Sequence, residues 1–234
     1  GAGGFAPGTV VTTGQAPSDL VLRDLNGDSS LDLAVANADS DSVSVLLGDG
    51  SGGFGARTDI PSASLSFRLV AGDVNGDTVP DLAVAGLDTV SVLLGDGEGG
   101  FGAKTEFAAG PGTVAMGDVN GDTFPDLAVS VADNPGGVSV LLGDGAGGFG
   151  RSAFVSTSPW PSFSLVLGEL NGDAFPDLVV ADAGLNAVSV LLNTGAVAAA
   201  PTVATAIAGV SSATVSWTAP VSDGGRPVSG YVVT

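Results

Sequence analysis

"GDVNGDTVPDLAVAG", Gly72 to Gly86, puts three aspartates and an asparagine inside ten residues and runs straight into an apolar stretch. The same arrangement recurs four times: Asp24-Leu-Asn-Gly-Asp28, Asp73-Val-Asn-Gly-Asp77, Asp118-Val-Asn-Gly-Asp122 and Glu169-Leu-Asn-Gly-Asp173. Counted from each first acid, the spacings are 49, 45 and 51 residues. A second motif travels with the first. It reads "SVSVLLGDGSGGFG" (42–55), "VSVLLGDGEGGFG" (90–102) and "VSVLLGDGAGGFG" (138–150), then stops early as "VSVLLNTG" (188–195). The opening "GAGGFAPG" looks like the tail of the same unit. Self-similarity at this period marks a repeat architecture.

Each unit is built from short β-type runs between turn residues. In the second unit "FRLVAGD" leads into the acidic loop and "PDLAVAG" leads out of it. "VSVLLGD" and "GAKTEFA" follow, so four strands are predicted per repeat, and no segment has helical periodicity. The strands are apolar along most of their length, which suits sheets covered on both faces. Four-stranded units stacked radially make a β-propeller, and a solenoid of shorter units is the alternative. The fold class expected is all-β: propeller blades, four of them present, followed by a partial β-sandwich.

The composition bounds function. Six Lys and Arg face twenty-five Asp and Glu, giving a formal charge of −19. Phosphate backbones and anionic membranes need Lys and Arg, so no nucleic-acid partner is expected. Cations are favoured. Without Cys or His there is no disulfide, thiolate or imidazole chemistry. No apolar run reaches the ~18–20 residues of a membrane span. The Ala196–Val215 stretch comes closest, but Pro201 and several Ser and Thr interrupt it. The chain begins at Gly1 without Met, and is read as a mature or truncated piece.

Taking Asp73 as position 1, side chains at positions 1, 3 and 5 (Asp73, Asn75, Asp77) converge if the chain wraps round a point. Gly76 at position 4 permits the tight turn. The carbonyl at position 7 (Val79) adds an oxygen and Asp81 at position 9 closes the ring. The other loops supply Asp24, Asn26, Asp28, Ser30 and Asp32; Asp118, Asn120, Asp122, Phe124 and Asp126; and Glu169, Asn171, Asp173, Phe175 and Asp177. Such an all-oxygen shell suits Ca2+, which takes 6–8 oxygens. About four Ca2+ are expected, cancelling about eight charges. Glu169 is one methylene longer, so its loop is expected to be distorted. The pattern is not an EF-hand, whose glycine stands at position 6 and glutamate at 12. Magnesium prefers stricter octahedral geometry, and zinc would want His or Cys. A metal-free Asx-rich turn is the plainer alternative, although such a turn needs no acid at position 9.

These residues resemble the FG-GAP repeat (integrin α-like, VCBS-type) over residues 1–195. The resemblance implies a β-propeller with Ca2+ between the first two strands of each blade. It also implies an extracellular setting, commonly bacterial where such repeats join fibronectin type III domains, and a role in adhesion. By the integrin analogy the calcium loops are structural and the ligand, protein or glycan, binds the opposite face. Integrin-like propellers have seven blades, so these four point to part of a larger propeller, or to a small ring in which "GAGGFAPGTVV" supplies the missing outer strand. Residues 201–234, after a linker at 196–200, resemble the first half of a fibronectin type III domain, with Trp217 and Tyr231 as core aromatics.

No catalytic site is expected. Asp49, Asp96 and Asp144 fall in "GDG" turns, where a turn role fits, and no carboxylate pair is singled out as a glycosidase would require. The expected function is a secreted or surface calcium-binding adhesion or protein-interaction module. The alternatives are a lectin-like propeller or an accessory domain of a secreted carbohydrate-active enzyme. Trp160, in "STSPWPSF" (156–163), is a candidate for stacking on a sugar or anchoring a partner, or packs between blades.

Overall fold

The computed structural model describes residues 4, 7–66, 68–133, 135–158, 162–195, 202–209 and 212–218. Among them there is no α-helix. The first sheet holds β1 (Pro17–Arg23), β2 (Asp32–Asn37), β3 (Ser42–Leu46) and β4 (Thr58–Pro61). The second holds β5 (Arg68–Gly72), β6 (Asp81–Ala85), β7 (Thr89–Leu93) and β8 (Thr105–Ala108). The third holds β9 (Val114–Gly117), β10 (Asp126–Val131), β11 (Gly136–Gly143) and β12 (Phe149–Ser158). The fourth has three strands, β13 (Ser162–Gly168), β14 (Asp177–Asp182) and β15 (Ala187–Leu191). All four are antiparallel meanders in sequence order. A separate hairpin pairs β16 (Thr202–Gly209) with β17 (Ser212–Thr218).

The predicted strands of the second unit are present; β5, β6 and β8 are shorter than the segments read, and β7 begins one residue earlier, at Thr89. Among the described residues the fourth sheet has no outer strand. Two 3-10 turns, Ala38–Ser40 and Ala183–Leu185, were not anticipated; three residues are too few to show a period.

Alternation along the second strand of each sheet joins neighbours. Leu82 and Val84 face the first sheet, where they share a core with Ala34, Ala36, Val43 and Val45. Ala83 and Ala85 face the third sheet, against Val114, Leu127 and Val129. Ala128 and Val138 then meet Leu165 and Val180 of the fourth. Large residues on a leading face meet small ones on the trailing face before it, which lets the sheets pack closely. Truncating Leu82, fully buried, to Ala costs about 2–5 kcal/mol.

The first strands lie side by side: β1 against β5, β5 against β9, β9 against β13. Side chains stitch their edges. Asp19 accepts the Leu69 N–H at 3.0 Å, Ser18 donates to the Ser66 carbonyl at 2.6 Å, and Thr113 accepts the Leu165 N–H at 3.1 Å. All four strands line one open space of about 550 Å3. Among the described residues the first and fourth sheets share no core cluster.

Three expectations fall on residues outside those described: Trp160, the 196–200 linker and Tyr231. Trp217 lies on β17, whose backbone alone is described. Among the described residues β16 and β17 form a hairpin and not a sandwich.

Candidate metal centre

The acidic loops join the first and second strands of each sheet, and the Gly-Asp-Gly turns follow the third. In a meander these connections lie at one end, so each repeat gathers its acids there. The turn aspartates act as turn residues: Asp49 Oδ1 accepts the N–H groups of Ser51 (2.8 Å) and Gly53 (2.9 Å), and Asp96 and Asp144 repeat this. Those N–H bonds hold the carboxyls of Asp49 and Asp144 below the usual carboxylate range.

In the second loop Asp73 Oδ1 accepts from Gly76 N (2.7 Å) and Asp77 N (3.2 Å), and Oδ2 accepts from Thr78 N (2.8 Å). Asn75 Oδ1 accepts from Asp77 N, while its amide donates to Asp77 Oδ2 at 2.8 Å. Asp77 Oδ1 takes the Val79 N–H at 2.8 Å. The backbone is thus wrapped around the side chains at positions 1, 3 and 5. The first loop, Asp24 to Ser30, and the third, Asp118 to Phe124, repeat the scheme. In the first, the N–H of Ser30 and the Asn26 amide lower the Asp28 carboxyl.

Two features escaped the sequence reading. Position 6 carries a left-handed backbone in every loop without being glycine: Ser29 (φ 69), Thr78 (φ 71), Thr123 (φ 78) and Ala174 (φ 72). Such a conformation costs roughly 1–2 kcal/mol for a residue with a Cβ. In three loops the position-1 carboxylate accepts that residue's N–H at 2.8 Å, which compensates locally.

The second feature is the burial of the acid at position 9. Asp32, Asp81, Asp126 and Asp177 are fully buried. Each spans two backbone donors. Asp81 Oδ2 accepts Val74 N (2.8 Å) and Oδ1 accepts Gly95 N (2.9 Å). Asp32 bridges Leu25 and Gly48, Asp126 bridges Val119 and Gly143, and Asp177 bridges Leu170 and Asn193. Burial raises the Asp126 carboxyl to about 6 and also raises that of Asp81. The two N–H bonds oppose the shift; the charges of Asp122 and Asp118, or Asp77 and Asp73, add to it. In the second and third loops the acids at positions 1 and 5 therefore repel the one at position 9.

Glu169 departs from the other three. Its Oε1 accepts from Asn171 N (2.8 Å) and Gly172 N (2.7 Å) at positions 3 and 4, so its wrap starts one residue nearer the loop start and does not reach position 6. Among the described residues no three acidic side chains stand together as a ready metal cluster. The donor chemistry nevertheless fits a hard cation. Every donor is an oxygen, and a carboxylate oxygen that accepts one N–H keeps a second lone pair.

The sheets and loops define a tandem all-β repeat protein with one acidic loop per sheet. The FG-GAP-like repeat family matches residues 24–84, 73–129 and 118–180, and this chain belongs to it. No curated protein matches the chain. Among solved structures it is similar to an Agrocybe aegerita lectin that recognises non-reducing terminal N-acetylglucosamine, at 20% identity and TM-score 0.48. That match covers 74% of this chain and 51% of the lectin. It is similar to the Tc holotoxin pore of Photorhabdus luminescens, at 20% identity and TM-score 0.44, over 69% of this chain and 8% of that one. It is also similar to the biofilm matrix protein Bap1 of V. cholerae, at 17% identity and TM-score 0.40, over 78% and 31%. The chain thus spans about half the length of the first of these proteins. No helix among the described residues is long and apolar enough to cross a membrane.

Proposed function

We propose that this chain is an extracellular adhesion or protein-interaction module whose FG-GAP-like sheets are blades of a β-propeller stabilised by structural Ca2+. The observation that carries this reading is the fourfold recurrence of an oxygen-only loop with a fully buried acid at position 9, which the acids at positions 1 and 5 repel in the second and third loops. A bound divalent cation removes that repulsion. Positions 1, 3, 5 and 9 and the carbonyl at position 7 would hold it. In this reading the acids are a scaffold, so a protein or glycan ligand takes the opposite end, where the second-to-third strand turns lie. Radial arrangement of the blades is supported by the side-by-side first strands around one space.

The test is equilibrium dialysis with Ca2+, together with thermal melts in Ca2+ and in EGTA. About four ions per chain and a reversible rise in melting temperature are expected, since a ligand of the native state adds stability. A melting curve indifferent to EGTA would overturn the calcium reading.

A further inference from the structure

Two of the outer strands send a basic side chain across to the segment before their own sheet. In the first sheet Arg57 pairs with Asp59 at 3.1 Å and donates to the Thr13 carbonyl. In the second, Lys104 pairs with Glu106 at 2.8 Å, and its Nζ donates to the Ser62 carbonyl at 2.7 Å. Ser62 opens the connection from the first sheet to the second. Lys104 therefore spans the gap between two sheets and ends on a backbone oxygen.

Strand register identifies the same place in the third sheet. Asp59 stands opposite Ser44, Glu106 opposite Ser91 and Phe154 opposite Ser139. Two residues before them come Arg57, Lys104 and Ser152. The third repeat thus has serine in place of the cation and phenylalanine in place of its acid. Serine is too short to span what a lysine spans.

The backbone acceptor is kept. Ser62, the first residue after β4, donates its N–H to the Asp41 carbonyl at 2.9 Å. Ala109, the first residue after β8, donates to the Asp88 carbonyl at 3.0 Å. Ala109 is therefore the counterpart of Ser62. Where Lys104 would lie in the second repeat, the third has a cavity of about 190 Å3 lined by Ala108, Ala109, Gly110, Val131, Ser139 and Phe154. A Cβ on Gly110 would stand 2.7 Å from Val131, so the two sheets close its floor. Phe154, 39% exposed, gives it an aromatic wall that solvent reaches.

We propose that this cavity takes a lysine side chain of a partner protein, its ammonium donating to the Ala109 carbonyl and its stem lying along Phe154. Lys104 shows what the same place accepts one repeat earlier. A cation is attracted to an aromatic face, and a net charge of −19 concentrates basic partners near the surface. The exchange of acid for ring also fits an occupant that comes and goes. A carboxylate at 154 would lose its partner whenever the cavity emptied, whereas a ring leaves no unpaired charge. Ala109 is tied to the second-to-third strand turn through Asp88, so the cavity lies toward the ligand end assigned above. The proposal rests on that reading for the partner being a protein, and narrows it to one with an exposed lysine.

The test is an amide-resolved NMR titration of the whole chain, in saturating Ca2+ to occupy the acidic loops and in moderate salt to screen the net charge. The probe is Nα-acetyl-lysine methylamide. Saturable shifts are expected at the amides of Ala109, Gly110 and Ser139. The Nε-acetylated probe, which has lost the charge, should bind about tenfold more weakly. Ser152→Lys puts the chain's own ammonium in the cavity and should abolish the shifts. Ala103→Lys adds the same charge at an exposed position of the second repeat and should leave them in place. Phe154→Ala should weaken binding about tenfold by removing the ring, and each spectrum shows whether its variant is folded. Shifts equal in wild type and Ser152→Lys, or confined to the acidic loops, overturn the proposal. Equal binding of the arginine analogue overturns the assignment to lysine. Shifts at the other connections of that end, with none at Ala109, remove this cavity and leave the ligand end standing.

Discussion

Asp81 accepts the backbone N–H of Gly95 at 2.9 Å, so the last acid of the loop is tied to the first glycine of the neighbouring turn. The same carboxylate holds the N–H of Val74. Position 9 is therefore a brace between two hairpin connections before it is anything else. A cation bound there acts on a group already fixed by the fold.

This double role decides how the metal reading must be tested by mutation. Asp81→Ala orphans one buried and one half-buried N–H group and should cost about 2–4 kcal/mol, with or without Ca2+. Asp77→Asn keeps an oxygen acceptor at position 5 but removes a charge. It should leave the melting temperature in EGTA nearly unchanged and shrink the rise produced by Ca2+. Differential scanning calorimetry of both variants in each buffer separates the effects. A full calcium-induced rise in Asp77→Asn would remove position 5 from the ligand set.

The metal-free protein should become more stable as pH falls from 7 toward 5. Asp126 is raised to about 6 by burial, and Asp81 is raised by the same cause. An unfolded aspartate titrates near about 3.9. Between those values the native state binds more protons than the unfolded state, so stability is lost as pH rises through the folded value. The carboxyls of Asp28, Asp49, Asp144 and Asp182 are lowered and withdraw stability only at more acid pH. With Ca2+ present the trend should reverse, because protons compete for the same oxygens. Melts at pH 5, 6 and 7 in EGTA and in Ca2+ check both trends. A metal-free melting temperature that falls between pH 7 and pH 5 would contradict the raised carboxyls of Asp81 and Asp126.

Much of this was legible because the chain repeats. Copies at near-constant spacing made the strand order and the place of each acidic loop readable. What stayed hidden depends on contacts between distant segments. Asp32, Asp81 and Asp126 stand 16, 14 and 17 residues from the glycine whose N–H they hold, a separation too variable to read as a motif. Asp182 is similar. Burial works against its charge, but the hydroxyls of Ser189, Ser162 and Thr157 outweigh it and lower the carboxyl, and only folding brings those three together. The left-handed residues at position 6 are Ser, Thr, Thr and Ala, which no propensity would place there.

Ala174 offers the sharpest test of that strain. Its φ of 72 is sterically costly for any residue with a Cβ, and Glu169 uses its carboxylate on Asn171 and Gly172. Ala174→Gly removes the Cβ clash and gives back part of the gain as unfolded-state entropy. A net stabilisation of about 0.5–1 kcal/mol is expected, a rise in melting temperature of about 1–4 °C for a chain of this size. Ala181→Gly, at an exposed position in β14, is the control and should lower the melting temperature, because glycine weakens a strand. If both substitutions lower it alike, position 6 is not strained and the loop geometry assigned to the fourth repeat is wrong.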